Sequence, residues 1–153
     1  KITKAVANIF KKKQSILYLG NLNARRDWGH AKDYVEAQWK ILQQKKPSDF
    51  VIATGKTYSV RHFTELAFKE IGVKIKWVGK GLNEIGIDSD TNKVIVKVHK
   101  KYFRKSEVEL LQGDSSFARK KLKWRPKITF EKMIKMMVKY DLENNDYGGR
   151  ESY

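Results

Sequence analysis

The sequence predicts an α/β fold, and three observations predict it. "DFVIATG" at 49–55 is a continuous apolar run closed by a glycine, the pattern of a strand buried on both faces of a parallel sheet. Directly after it, Ser59 is placed to cap a helix carrying Val60, Phe63, Ala67 and Ile71, with Gly72 as its stop, which makes half of a βαβ unit. Beyond that, "IKWVG" and "KVIVKV" alternate in the manner of strands before helical periodicity returns.

Each element follows in order. Ile2, Val6, Ile9 and Phe10 keep a helical period with no cap ahead of them, so the chain reads as entered in mid-helix over about residues 2–13. "ILYL" at 16–19 is a short strand, and the loop after it, "ARRDWGH", leads into a second helix. Asp33 is placed to cap that helix, whose apolar stripe is read as Tyr34 or Val35, Trp39 and Leu42, and Pro47 bars its continuation. Gly79 to Asn92 is rich in Gly, Asn and Asp and reads as a loop. The conformation of "KYFRKSEVELLQGD" is left open by its mixed character. Asp114 caps "SSFARKKL", and Thr129 caps a last helix in which Ile128 and Met133 form a staple and Met133 and Met137 a core stripe. The tail at 144–153 is expected to fray.

Composition narrows the function classes. Thirty-three Lys and Arg against seventeen Asp and Glu give +16, so the surface attracts polyanions or phosphorylated ligands. There is no cysteine, hence no disulfide framework and no thiolate metal site. His30, His62 and His99 have no metal-ligand spacing. No apolar run approaches the roughly 20 residues of a membrane-spanning helix, and a cytoplasmic protein is expected. "GKT" at 55–57 imitates the end of a P-loop, but Phe50 stands where its first glycine belongs. No G-x-G-x-x-G follows a strand and no serine sits in a G-x-S-x-G elbow.

What remains is a set of arginines on loops that follow strands. Arg25 and Arg26 come after "ILYLG", and a guanidinium forks two oxygens of a diphosphate while keeping its charge at any working pH. Arg61 lies in the first turn of the helix after "FVIATG", where free N–H groups favour anions. Arg104, three residues before Glu107, pairs a cation for phosphate with a carboxylate for ribose hydroxyls. Together they point to a nucleoside diphosphate. Trp28 is read as packing its loop against the fold rather than as a ligand platform.

"LGNLNARRDWGHAKDYVEAQWKILQ", "PSDFVIATGKTYSVRHF" and "KYFRKSEVELLQGDSSFARKKLKWRPKITFEKMI" resemble, in this order, the C-terminal half of the GDP-mannose 4,6-dehydratase family of extended short-chain dehydrogenase/reductases. The likeness covers residues 1–143. It implies the substrate-binding part of such an enzyme, with one strand–helix unit that completes the Rossmann sheet. It also implies conversion of GDP-mannose to GDP-4-keto-6-deoxymannose and water, tightly bound NADP, and a homo-oligomer on the route to GDP-fucose. The family's catalytic residues and its NADP loop lie upstream of Lys1, so no catalytic residue is expected here and this piece alone is expected to be inactive. By the same resemblance Arg26 reaches the nucleotide's phosphates, Arg104 and Glu107 hold phosphate and ribose, and Lys1 matches a sugar-nucleotide contact. In one departure Lys105 replaces the family's usual proline after Arg104, which loosens that turn.

Two rivals stand beside this reading. One is another sugar-nucleotide epimerase or dehydratase of the same superfamily. The other is a basic nucleic-acid-binding module, which the scattered cations and the lack of an RNP box, zinc spacing or basic zipper disfavour. The isolated piece is expected to be poorly soluble or to self-associate, because "FVIATG" would lose its sheet.

Overall fold

The computed structural model describes residues 1–144. The expected fraying of 144–153 falls almost entirely outside the described residues. A four-stranded sheet, in the order β1-β6-β5-β4, comprises β1 (Leu17–Leu19), β4 (Ile75–Val78), β5 (Ile85–Asp88) and β6 (Val94–Val98). β1 lies parallel to β6, while β5 runs antiparallel to both of its neighbours. Helices α1 (Ile2–Phe10), α3 (Val60–Lys69) and α5 (Phe130–Asn144) pack with it around one apolar core. Val6, Leu17, Phe68, Val96, Ile134 and Val138 are almost wholly buried there.

β5 occupies part of the stretch expected to be loop. Only Gly81–Asn83 of that stretch is a 3-10 turn. The glycine at the strand's centre is what hid it: a Cβ on Gly86 would come within 3.0 Å of both Ile75 and Trp77 side chains, so the position must be empty for Trp77 to lie across the sheet. Trp77 is fixed by donating its indole N–H to Glu65 at 2.7 Å.

The α3 cap is as expected, with Ser59 Oγ accepting from the His62 N–H at 3.0 Å. Gly72 turns the chain at φ +77°. Thr129 accepts from the Lys132 N–H, but the cap of α4 (Ser116–Leu122) is Ser115 rather than the expected Asp114, which lies one residue earlier and accepts from the Ser116 N–H. The α5 stripe is Phe130, Met133, Ile134 and Val138, so the expected pairing of Met133 with Met137 is corrected. Met137 falls one position off the stripe and is exposed.

Helix α2 (Ala31–Leu42) departs twice from expectation. Its cap is His30, whose Nδ1 accepts from the Lys32 N–H. Asp33 is instead buried, with one carboxylate oxygen accepting the backbone N–H groups of Lys127 and Ile128 at 3.1 and 3.0 Å. The helix also carries two apolar stripes. Tyr34, Ala37 and Ile41 face a second small core around Ala118, Leu122 and Trp124. Of the stripe read from the sequence, only Tyr34 faces that core, while Val35, Trp39 and Leu42 are 61%, 61% and 80% exposed.

Residues 50–53, expected to be a doubly buried strand, have no strand partner among the described residues. Phe50 and Ile52 rest against the small core, Ala53 is buried, and Val51 is 55% exposed. A strand is defined by its neighbours, and an apolar run without one stays extended and unpaired.

Candidate functional site

The two arginines of "ARRDW" form a strand of their own. β2 (Arg25–Arg26) lies at the centre of a three-stranded sheet, antiparallel to β3 (Tyr58–Ser59) and parallel to β7 (Leu110–Leu111). Three distant stretches, all singled out in the sequence, therefore meet at one place. Asp27 locks the join: Oδ1 accepts from the Thr54 N–H and hydroxyl at 2.9 and 2.5 Å, and Oδ2 accepts from the Gly55 N–H at 2.8 Å. Trp28 packs between Phe63 and Phe130, as its structural reading required.

Arg26 reaches across the sheet. Its guanidinium pairs with the Glu107 carboxylate and donates to the Val108 carbonyl at 2.7 Å. Arg25 turns to the loop on the other side, donating to the Thr57 hydroxyl and carbonyl at 3.2 and 2.7 Å. Arg104 is exposed, but its backbone is held from both ends. Asn21 Nδ2 donates to the Arg104 carbonyl at 3.0 Å, and the Arg104 N–H donates to Asn21 Oδ1 at 2.9 Å. The preceding Gly20 lets the chains touch, since a Cβ there would lie 2.1 Å from the Tyr102 carbonyl oxygen. Asn21 thus fixes the turn that Lys105 leaves without a proline.

A cavity of about 550 Å³ lies against this sheet, walled by Asn21, Asn23, Arg25, Phe103, Lys105, Glu107 and Glu109 among others. Arg25, Lys105 and the amide side chains offer donors for anionic oxygens, and the carboxylates offer acceptors for hydroxyls or a base edge. Of the expected residues, Arg25 and Glu107 line the cavity directly. Arg26 stands behind Glu107, and Arg104 follows Phe103 at its edge. Arg61 is engaged internally, bonded to Glu84 at 2.7 Å and to Asn23 at 3.1 Å, with its guanidinium 4.8 Å from the Trp77 ring centre. It buttresses the Glu84 and Asn23 wall. Lys1 sits with Nζ 3.3 Å from the centre of the Tyr102 ring.

Sequence reasoning missed Asn21 and Asn23, and read Asp27 only as helping Trp28 pack the loop, without its partners Thr54 and Gly55. The signal was present in the Gly-Asn step that follows β1, since a glycine at a strand end marks close backbone approach. Away from the cavity, burial raises the Tyr34 phenol above its ordinary value, with Asp27 and Asp33 adding to the effect. Among the described residues no group of His, Asp and Glu is placed to hold a metal.

This arrangement has counterparts. The structure of RMD from Pseudomonas aeruginosa complexed with NADPH superposes with a TM-score of 0.73 at 14% identity, over 93% of this chain and 41% of that one. A dTDP-glucose 4,6-dehydratase from Bacillus anthracis in complex with NAD gives 0.70 at 14%, over 95% and 40%. The fold is thus that of a part of the extended short-chain dehydrogenase/reductases. The family described as GDP-mannose 4,6 dehydratase matches residues 1–137, and the chain belongs to that family. GDP-mannose 4,6 dehydratases of Drosophila melanogaster and Homo sapiens are 53% and 50% identical over 143 residues, 94% of this chain. The chain spans 36% and 38% of their lengths, well under half.

Proposed function

We propose that the whole protein to which these residues belong converts GDP-mannose to GDP-4-keto-6-deoxymannose and water, and that residues 1–143 supply its GDP-sugar site. The observation that carries this is the three-stranded junction, which brings Arg25 and Glu107 from separate stretches to the wall of one cavity with Arg26 paired to Glu107 behind it. Arg25 and Arg104 contact the diphosphate. Arg26 orients Glu107, through which it holds the ribose, and its own remaining charge draws the phosphates toward the sheet. Lys1 lies at the sugar end, and Arg61 holds the Glu84 wall in place.

The cofactor is NADP, bound outside this chain, where it supplies the redox chemistry of the reaction. The residues here bind and orient the nucleotide. They contain no glycine-rich fingerprint to cradle a dinucleotide. The bond-breaking groups also lie outside, so these 153 residues alone are inactive. The apolar stripe Val35, Trp39 and Leu42 and the unpaired 50–53 segment mark where the rest of the protein packs. The whole enzyme is a cytoplasmic homo-oligomer. Among the described residues no helix is long and apolar enough to cross a membrane.

Isothermal titration of the full-length protein with GDP, UDP and dTDP tests the reading. GDP binds most tightly, and Arg25→Ala and Arg104→Ala each weaken it by about tenfold or more, as expected for charge-assisted bonds to phosphate. Equal affinity for the three nucleotides would move the chain to another sugar-nucleotide enzyme. Binding that tracks salt concentration, with DNA as good a ligand as GDP, would make it a nucleic-acid module.

A further inference from the structure

We propose a second anion site, separate from the nucleotide cavity, that takes a phosphate group or phosphate monoester. A cavity of about 490 Å³ opens between the Thr54–Tyr58 turn and the start of α5. It shares no wall residue with the cavity beside β2. Trp28, Tyr58 and Phe130 form its apolar side, with the Tyr58 and Phe130 rings stacked 3.9 Å apart. Four cations line the rest: Lys56, Arg119, Arg125 and Lys127, against one carboxylate, Glu131.

How those charges are engaged decides the case. Lys127 is neutralised by Glu36 at 2.6 Å. Arg119 is bonded to neutral oxygens, the Ser115 hydroxyl at 3.0 Å and the Thr54 carbonyl at 2.8 Å, so its position is fixed; the Asp114 carboxylate feels its charge but forms no ion pair with it. Lys56 and Arg125 are exposed and have no side-chain hydrogen bond or ion pair among the described residues. Three cations without an ion pair thus line one cavity beside an apolar wall, against the single carboxylate of Glu131, and the wall lowers the local dielectric on that side and strengthens their pull on an anion. A phosphate monoester carries close to two charges on three spread oxygens, so it answers three cations better than a singly charged planar carboxylate does.

Because the Lys56 and Arg125 side chains make no hydrogen bond or ion pair among the described residues, replacing them leaves the backbone bonds between residues 54 and 56 intact. The test is calorimetric titration of inorganic phosphate into the full-length protein saturated with GDP, comparing the parent, Lys56→Gln/Arg125→Gln, and a control of equal charge loss elsewhere, Lys12→Gln/Lys13→Gln. The parent and the control each bind phosphate at one remaining site per chain, and Lys56→Gln/Arg125→Gln weakens it by about tenfold or more with GDP affinity unchanged. No phosphate binding in the parent, undiminished binding in the cavity variant, or an equal loss in the control would each overturn the proposal. The proposal does not rest on the GDP reading. If GDP fails to bind, that reading falls, and the same comparison made without GDP still decides this one.

Discussion

The two halves of this chain's apolar interior are built on different terms. The four-stranded sheet with α1, α3 and α5 holds most of the buried apolar side chains, although Phe10, Tyr18 and Tyr140 on its outer faces stay exposed. The layer of α2, α4 and the 50–53 segment has a core only around Trp124 and leaves Val35, Trp39, Leu42 and Val51 open. The first region is packed mainly by its own residues, and the second leaves a row of apolar side chains bare. An amphipathic helix shows one polar face when its surroundings are complete, so a helix with two apolar stripes and one of them bare is a helix with a neighbour to come.

The sharpest test of this contrast sets equal truncations against each other. In the 153-residue chain, Phe68→Ala removes a fully buried ring and costs about 3–5 kcal/mol, seen as a collapse of the urea midpoint. Trp39→Ala, although it removes a larger ring, changes stability by about 0.5 kcal/mol or less, because that ring is already in water. In the full-length protein the Trp39 change becomes costly, and an unchanged value there would place the partner elsewhere. Next in size is Asp33→Ala, which leaves the N–H groups of Lys127 and Ile128 unanswered. It costs about 2–4 kcal/mol, while Asp33→Asn, keeping one acceptor oxygen, costs less.

Asn21→Ala comes third, at about 1 kcal/mol of stability, with GDP affinity falling further than that loss accounts for as Arg104 loses its anchor. A double-mutant cycle with Arg104→Ala measures it, and additive effects would separate the two residues. The smallest effect concerns pH. The hydrogen bond from Lys127, with that cation's charge, holds the Glu36 carboxyl below its usual range. Its pairing therefore stabilises above the ordinary carboxylate range and is lost as pH falls through the lowered value. Melting curves of the parent and Glu36→Gln draw together on acidification.

The sequence was most legible where local rules act alone. Ser59, Thr129 and Gly72 do what their chemistry dictates within a few residues. The strands β4 and β6 announce themselves by alternation and β1 by a short apolar run. β5 does not, because its glycine answers to Trp77 on the neighbouring strand, a fact absent from the local pattern. On α2 both stripes obey the helical period, and periodicity cannot tell which of two apolar faces this chain itself covers. At the site, residue types were readable and partners were not: Arg61 carries the same charge as Arg25, yet only the fold brings Glu84 to it. Asn21 is an ordinary loop residue until residue 104 arrives 83 positions later.

The turn at 56–58 links the two cavities. Lys56 and Tyr58 look into one, while Thr57 between them carries the guanidinium of Arg25 on the wall of the other. A single residue thus serves as a common rivet, its own oxygens holding Arg25 on one wall while its two neighbours in sequence line the other.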